Sequence, residues 1–461
     1  MWLNVGVLSS QQFGRQEYQF IEIETGTTNM AKIKIAGIKG MNDMLAEDAG
    51  VWEKFEDTAR AVAASYGYRQ IRTPILEATG LFARGVGEAT DIVEKEMYSF
   101  TDSMNGEQLT LRPEGTSAVC RCAIEHNITY NAPQRLWYFG PMFRHERPQR
   151  GRYRQFFQFG CEALGFAGPD VDIELLSLTA RLWKNLGIKA SLQLNSLGAS
   201  EERARHREAL VAYFNENYDV LDEDSRRRLT TNPLRILDTK NPDMQEMVEA
   251  APRLLDFLGE DSRRFLGMLE AGVQALGIEY TINPRLVRGL DYYNHTVFEW
   301  VTDQLGSQGT ICGGGRYDPL IEILGGRPTP AAGFAIGAER VIELVRAAGH
   351  DKPVAACEIY VAHQGGHTEM VARQIGEKLR DNGHKVIVHA GSASFKTSMK
   401  RADQSLAQWA VICGENELNA GQVAIKRLRD AQGNQQFAEQ MTISIESLQD
   451  IFGEEQKVDL Q

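Results

Sequence analysis

Residues Gln134–Glu162 read QRLWYFGPMFRHERPQRGRYRQFFQFGCE, and this stretch decides the fold. Leu136 to Phe139 and Phe156 to Cys161 alternate apolar and other residues, the pattern of two paired β-strands. Between them lie five arginines, Arg144, Arg147, Arg150, Arg152 and Arg154, with Pro148 and Gly151 as turn residues. Two readings stay open. The loop is either a solvated hairpin tip or a phosphate site, because guanidinium forks match phosphate oxygens.

The chain around this hairpin has 461 residues, which is long for one core and predicts two or three domains. No apolar run of about 18 residues exists, so no membrane span is expected. The net charge of −12 argues against indiscriminate nucleic-acid binding but leaves room for a local basic groove. The six cysteines (120, 122, 161, 312, 357 and 413) form no CxxC pair, which points to reduced thiols in a cytoplasmic protein rather than to a zinc site. Residues 1–29 have neither a secretory pattern nor a helical period, and Met30-Ala31-Lys32 resembles a beginning. We therefore expect 1–29 to be an extension, disordered or absent from the mature chain.

Upstream of the hairpin, the spacing predicts a helix from Glu47 to Tyr66, then an extended run from Tyr68 to Leu76. Pro74 restricts that run to an edge or an interface, since it cannot donate to a ladder. Gln108 to Thr116 predicts a strand ending at Arg112-Pro113, with Glu114-Gly115-Thr116 turning into a helix over Ser117 to His126. Glu114 is either a helix-start residue favoured by the dipole or a carboxylate aimed into a cleft to hold an ammonium group.

Downstream, a helix over Asp172 to Leu186, closed by Gly187, precedes a strand over Ala190 to Asn195. Residues Ala199 to Ile282 are charged and helix-rich, read as an inserted helical domain lying over the site. Its Arg226-Arg227-Arg228 cluster is a solvated face or an RNA contact. Strand patterning resumes over Leu286 to Trp300 (LVRGLDYYNHTVFEW) and Thr310 to Asp318 (TICGGGRYD). There Arg288 precedes Gly289, and Asp291, Tyr292 and Tyr293 supply hydrogen-bonding groups. Gly313-Gly314-Gly315 is a turn set or permits close approach of a ligand; it does not fit the dinucleotide fingerprint. In AAGFAIGAERVIELVRAAGH a small-residue strand meets a helix with Arg340 in its first turn. The helix dipole disfavours a cation there, so Arg340 either meets an anion or forms a surface salt bridge. From Ala355, strands alternate with helices as in a small α/β domain with a largely parallel sheet. Its clusters Lys396, Lys400, Arg401 and Lys426, Arg427, Arg429 contact an RNA backbone or balance an acidic domain.

Taken in order, these segments resemble the histidyl-tRNA synthetases of the bacterial type, a class II aminoacyl-tRNA synthetase family, over nearly the whole chain from Met30. The helix and strand ending at Pro74, FRHERPQRGRYRQF and GFAIGAER are similar to the three class II signature motifs. LVRGLDYYNHTVFEW and CGGGRYD resemble segments peculiar to the histidine enzyme. The resemblance implies an α+β catalytic domain, an antiparallel sheet flanked by helices, with a helical insertion and a C-terminal α/β anticodon-binding domain. The implied boundaries are 30–198 and 284–350 for the two catalytic parts, 199–283 for the insertion, 355–452 for the anticodon domain and 453–461 for an acidic tail.

It also implies a cytoplasmic homodimer with Pro74 at the interface, ligating L-histidine to histidine tRNA with ATP and Mg²⁺. Arg144 would hold the α-phosphate, Phe156 would stack on adenine and Arg340 would bind the γ-phosphate, with Glu146 and Arg152 in the same ATP site. Glu114, Thr116 and Gln158 would fix the substrate ammonium. Glu162 and Tyr293 would bond the imidazole nitrogens, with Tyr292 beside them. Arg288 would sit beside the histidine carboxylate and the α-phosphate, sharing the catalytic role with Arg144. Arg147 and Gln149 would approach the tRNA acceptor end. No metal would be fixed by the protein alone, and no editing activity is expected, since a hydrogen-bonding pocket rejects analogues unaided. Phe157 stands where many relatives carry histidine. The implied alternative is a non-catalytic, synthetase-like regulatory subunit of ATP phosphoribosyltransferase. Such paralogues lack the C-terminal unit and have eroded motifs, whereas Arg144, Arg288, Arg340 and that unit are present here.

Overall fold

The structure is a computed structural model that describes residues 35–87, 90–288, 290, 292–306, 309–349, 355–391, 393–430, 433–436 and 439–455. The expectations placed on residues 1–29, Gly289, Asp291 and 456–461 lie outside the described residues. Residues 35–38 carry no regular structure, and the compact unit that holds the helices and strands begins at Lys39.

Helix α1 (Ala46–Ser65) buries Trp52, Phe55, Ala59, Val62 and Ala63, the apolar stripe its spacing predicts. Strand β1 (Arg69–Gln70) follows it at the sheet edge. Strand β2 (Leu76–Ala78), helix α2 (Thr79–Val86), β3 (Tyr98–Thr101) and β4 (Gln108–Leu111) come next, and the three strands form their own small sheet in the order β2-β4-β3. Helix α3 (Thr116–Glu125) leads into the long hairpin of β5 (Gln134–Phe143) and β6 (Gln155–Leu164), each strand ten residues.

After helix α4 (Asp170–Leu186) and strand β7 (Ser191–Ser196), the helices α5 (Ser200–Glu216), α6 (Glu223–Thr231) and α7 (Gln245–Glu249) pack around Leu210, Phe214, Ile236 and Met244. The stretch read as one helical domain divides here. Helix α8 (Glu260–Ala275) buries Leu269 and Val273 in the same core as α4, and β8 (Tyr280–Ile282) pairs in parallel with β7. The independent helical core therefore stops before α8, because that helix has its apolar stripe turned to the main sheet.

The strand predicted from Leu286 begins only at Asn294, as β9 (Asn294–Val301); residues 286–288, Leu290, Tyr292 and Tyr293 lie outside any strand. Strand β10 (Thr310–Arg316), helix α9 (Leu320–Ile323), strand β11 (Ala331–Gly337) and helix α10 (Ala338–Ala347) complete this part. The eight-stranded sheet runs β1-β5-β6-β11-β10-β9-β7-β8, antiparallel except for the outer pairs β1/β5 and β7/β8. Side chains alternate across it. On β6, Phe157, Phe159, Cys161 and Ala163 enter the core shared with α1, α4 and α10, which leaves Gln158, Gly160 and Glu162 on the opposite face.

The C-terminal sheet has the order β13-β12-β14-β15-β16, from β12 (Ile359–His363), β13 (Val386–Val388), β14 (Trp409–Cys413), β15 (Gln422–Arg427) and β16 (Met441–Ser444). Helices α11 (His367–Asp381) and α12 (Phe395–Gln404) connect its three parallel strands. The expectation of a largely parallel sheet fails at β15 and β16, which run antiparallel. Only the short helix α13 (Glu415–Asn419) links β14 to β15, fewer residues than the dozen or so a parallel crossover requires. Helix α14 (Leu448–Glu455) packs Leu448 and Phe452 into this domain, so residues 453–455 of the predicted acidic tail are helical.

Candidate active site

Glu162 is fully buried on the open face of the large sheet. Its Oε1 accepts the Thr116 hydroxyl at 2.8 Å, and its Oε2 accepts the Tyr317 hydroxyl. Burial pushes the carboxyl up to about 8; the Tyr317 and Thr116 hydroxyls work against that shift, and Glu114 adds to it. Room for this side chain depends on Gly333, its cross-strand partner on β11, where a Cβ would collide with Oε2. Tyr292 and Tyr293 wall the same space, their ring centres 5.5 and 6.3 Å from Tyr317. Tyr317 was not singled out from sequence, although it lies two residues beyond the quoted glycine run. Its role emerges only when β10 and β6 are brought together around β11.

Thr116 was expected beside the ammonium site, yet it bonds Glu162 and so joins the two. Glu114, also buried, accepts the amides of Thr116 and Ser117 at 2.6 and 2.9 Å. The helix-start reading of Glu114 is thereby realised, and the carboxylate anchors α3 beside the pocket. Gln158 is buried with its Oε1 unpartnered among the described residues, and it lines the adjoining cavity.

Arg288 lies flat over Gly313, where a Cβ would come within 2.5 Å of the guanidinium; this close approach is what the glycine is for. The guanidinium pairs with Glu299, whose other oxygen accepts the Thr310 hydroxyl at 2.9 Å. Burial disfavours the charge on Arg288, but Glu299, Tyr293 and Tyr292 together outweigh it and the pKa is raised. Glu299 is the second residue missed from sequence: in register with Gly313 on β9, it holds Arg288 in place.

Beyond Gln158, a cavity of about 290 Å³ is lined by Arg144, Glu146, Arg152, Phe156, Glu339 and Arg340, among others. Arg144 sits 5.2 Å from the Phe156 ring centre and donates Nε to the Pro113 carbonyl at 2.9 Å. Arg152 pairs with Glu146. Arg340 donates to the carbonyls of Gly151 at 3.1 Å and Thr310 at 2.6 Å, so it is oriented from both sides. Burial and the nearby Arg152 and Arg144 lower its pKa. Arg147 and Gln149 are exposed at the hairpin tip. Phe157 points to the opposite face, 5.4 Å from Trp52 and 5.5 Å from Phe139 between ring centres, and does not line the pocket.

Other basic clusters divide. Arg227 pairs with Asp224 at 3.0 Å, Arg226 lies over Tyr218, and Arg228 reaches Asp91 at 3.5 Å, as a solvated face does. Arg429 is buried against Asp403 and is structural, whereas Lys396, Lys400 and Arg401 are exposed on α12.

An antiparallel sheet with arginines converging on its open face, followed by a separate α/β domain, is the architecture of a class II aminoacyl-tRNA synthetase. The Histidyl-tRNA synthetase family matches residues 40–341, and the Anticodon binding domain family matches residues 358–455. The chain is similar to the histidine–tRNA ligase of Cupriavidus necator, 58% identical over 421 residues, covering 90% of this chain and 92% of that one. It is similar to the histidine–tRNA ligase of Bordetella pertussis at 57% over 412 residues, covering 89% and 96%. Among solved structures, apo histidyl-tRNA synthetase of S. aureus superposes with a TM-score of 0.75 at 35% identity, covering 91% of this chain and all of that one. This chain belongs to the histidyl-tRNA synthetase family.

Proposed function

We infer that this chain activates L-histidine with ATP to histidyl-adenylate and transfers the histidyl group to its tRNA, releasing diphosphate and then AMP. The observation that carries the reading is strand β6, which delivers Phe156 and Gln158 to a cationic cavity and Glu162 to a closed pocket of tyrosines.

The histidine carboxylate is already a nucleophile at neutral pH, so attack on the α-phosphate needs no general base. Catalysis is positioning plus cationic stabilisation of the phosphate oxygens. Arg144 holds the α-phosphate, Phe156 stacks on adenine, and Arg340 and Arg152 take the outer phosphates. Arg288, braced by Glu299, neutralises the histidine carboxylate beside the α-phosphate. Gln158, Glu114 and Thr116 surround the ammonium, while Glu162 and Tyr293 bond the imidazole nitrogens beside Tyr292. Mg²⁺ seeks hard oxygen donors. Glu146, a carboxylate of the nucleotide cavity, is the protein oxygen that would meet an Mg²⁺ carried on ATP, where it would offset phosphate charge.

The tRNA acceptor end meets Arg147 and Gln149, and the anticodon meets the C-terminal domain along Lys396, Lys400 and Arg401. A homodimer is supported by exposed Ile75, Leu76 and Phe100, which the small sheet leaves uncovered next to Pro74. Six free cysteines fit a reducing cytoplasm. No described helix is long and apolar enough to cross a membrane. The test is pyrophosphate exchange run with each of the twenty amino acids. Exchange with histidine alone is expected; no exchange would overturn the reading in favour of the regulatory paralogue.

A further inference from the structure

Glu339 stands next to Arg340 in the first turn of α10, but it faces a different element. Strands β6 and β11 stay paired up to Gln158 and Gly337; there β11 ends and the chain turns into the helix. Phe157 is the next β6 residue, and its amide would face an empty ladder position. An amide even partly withdrawn from water and left without an acceptor is costly. The Glu339 carboxyl fills the position, its oxygens 2.9 and 3.2 Å from the Phe157 nitrogen. The ladder is thus continued by a side chain after the backbone has left it. Phe157 itself is clamped by Trp52 and Phe139, so the amide is a rigid reference point. On either side of it, Phe156 and Gln158 line the nucleotide cavity, as do Glu339 and Arg340.

We propose that Glu339 is a positioning residue of the nucleotide site: by accepting the Phe157 amide it sets the distance between Phe156 on β6 and Arg340 on α10. The proposal rests on the assignment of those two residues to ATP. Burial pushes the Glu339 carboxyl up to about 7, and its bonds from backbone N–H groups only partly offset this. Both protonation states thus exist at neutral pH, and both accept an amide. A glutamine carbonyl would do the same, whereas a residue that cannot reach the amide would release it.

The test is histidine-dependent pyrophosphate exchange on full-length Glu339→Ala and Glu339→Gln, with KM measured separately for ATP and histidine. Glu339→Ala is expected to raise the KM for ATP by about tenfold, from one lost bond to a part-buried donor. The KM for histidine should stay within about twofold, and Glu339→Gln should restore most of the ATP affinity. Should the alanine variant fail to fold, Glu339→Asp, one methylene shorter, withdraws the oxygens and serves the same comparison. An unchanged KM for ATP, equal losses for both substrates, or a glutamine variant no better than alanine would overturn the proposal. Phe156→Ala and Arg340→Ala run alongside separate the two readings. If they leave ATP affinity intact, the nucleotide assignment itself fails; if they weaken it while Glu339→Ala does not, only the positioning role fails.

Discussion

The two ends of strand β6 hold charge in opposite ways. At the end proposed for the nucleotide, Arg144, Arg152 and Arg340 share a cavity with Glu146, whose carboxylate pairs with Arg152 and so lets like charges gather. At the end proposed for histidine one carboxyl, Glu162, is sealed among tyrosines, and its environment favours the neutral form. The first arrangement suits affinity for any triphosphate. The second suits selection, because a buried acceptor left unpaired by the wrong amino acid is expensive.

The sharpest way to break this comparison is Glu162→Ala. It should lower kcat/KM for histidine by about 10³ or more while leaving the KM for ATP within about threefold. A variant that activates histidine normally would remove the selective role from this pocket. Arg288→Ala comes next, since it sits where the two ends meet. Adenylate formation measured in single turnover should slow by about 10²-fold, with ATP affinity nearly unchanged. Equal losses in both would assign Arg288 to simple nucleotide binding.

The smallest effect is on stability, read as the melting temperature of Glu162→Gln against the parent. The folded-state pKa of Glu162, about 8, lies above its ordinary value, so the folded protein binds the extra proton. Its contribution is therefore fully present below the ordinary carboxyl range and is lost as pH rises through about 8. The glutamine variant, which cannot ionise, should gain on the parent as pH rises from the ordinary carboxyl range to about 8, and level off above that. Each kcal/mol of relief corresponds to roughly 2–4 °C or less in a chain of this size. A gap that narrows with rising pH would mean that Glu162 is stabilised as an anion.

Much of the hairpin was legible from its own alternation, and the charge of Arg144, Arg152 and Arg340 was legible from density and helix position. Gln158 and Glu162 were named only through resemblance, because a lone polar residue in a strand does not announce its face. Tyr317, Glu299 and Glu339 escaped, since each acts on a residue outside its own element. Tyr317 reaches Glu162 across 155 positions and Glu339 reaches Phe157 across 182.

By itself, then, the sequence determined the paired strands of β5 and β6, the buried stripe of α1 and the order of segments that marks the family. These depend on local periodicity, which survives without knowing any neighbour. Only the tertiary structure decided which carboxyl is driven neutral, which arginines are braced and which are spent on salt bridges, and where a side chain replaces a missing strand. Those properties come from desolvation and from contacts across the sheet, and they exist only after the chain has closed around them.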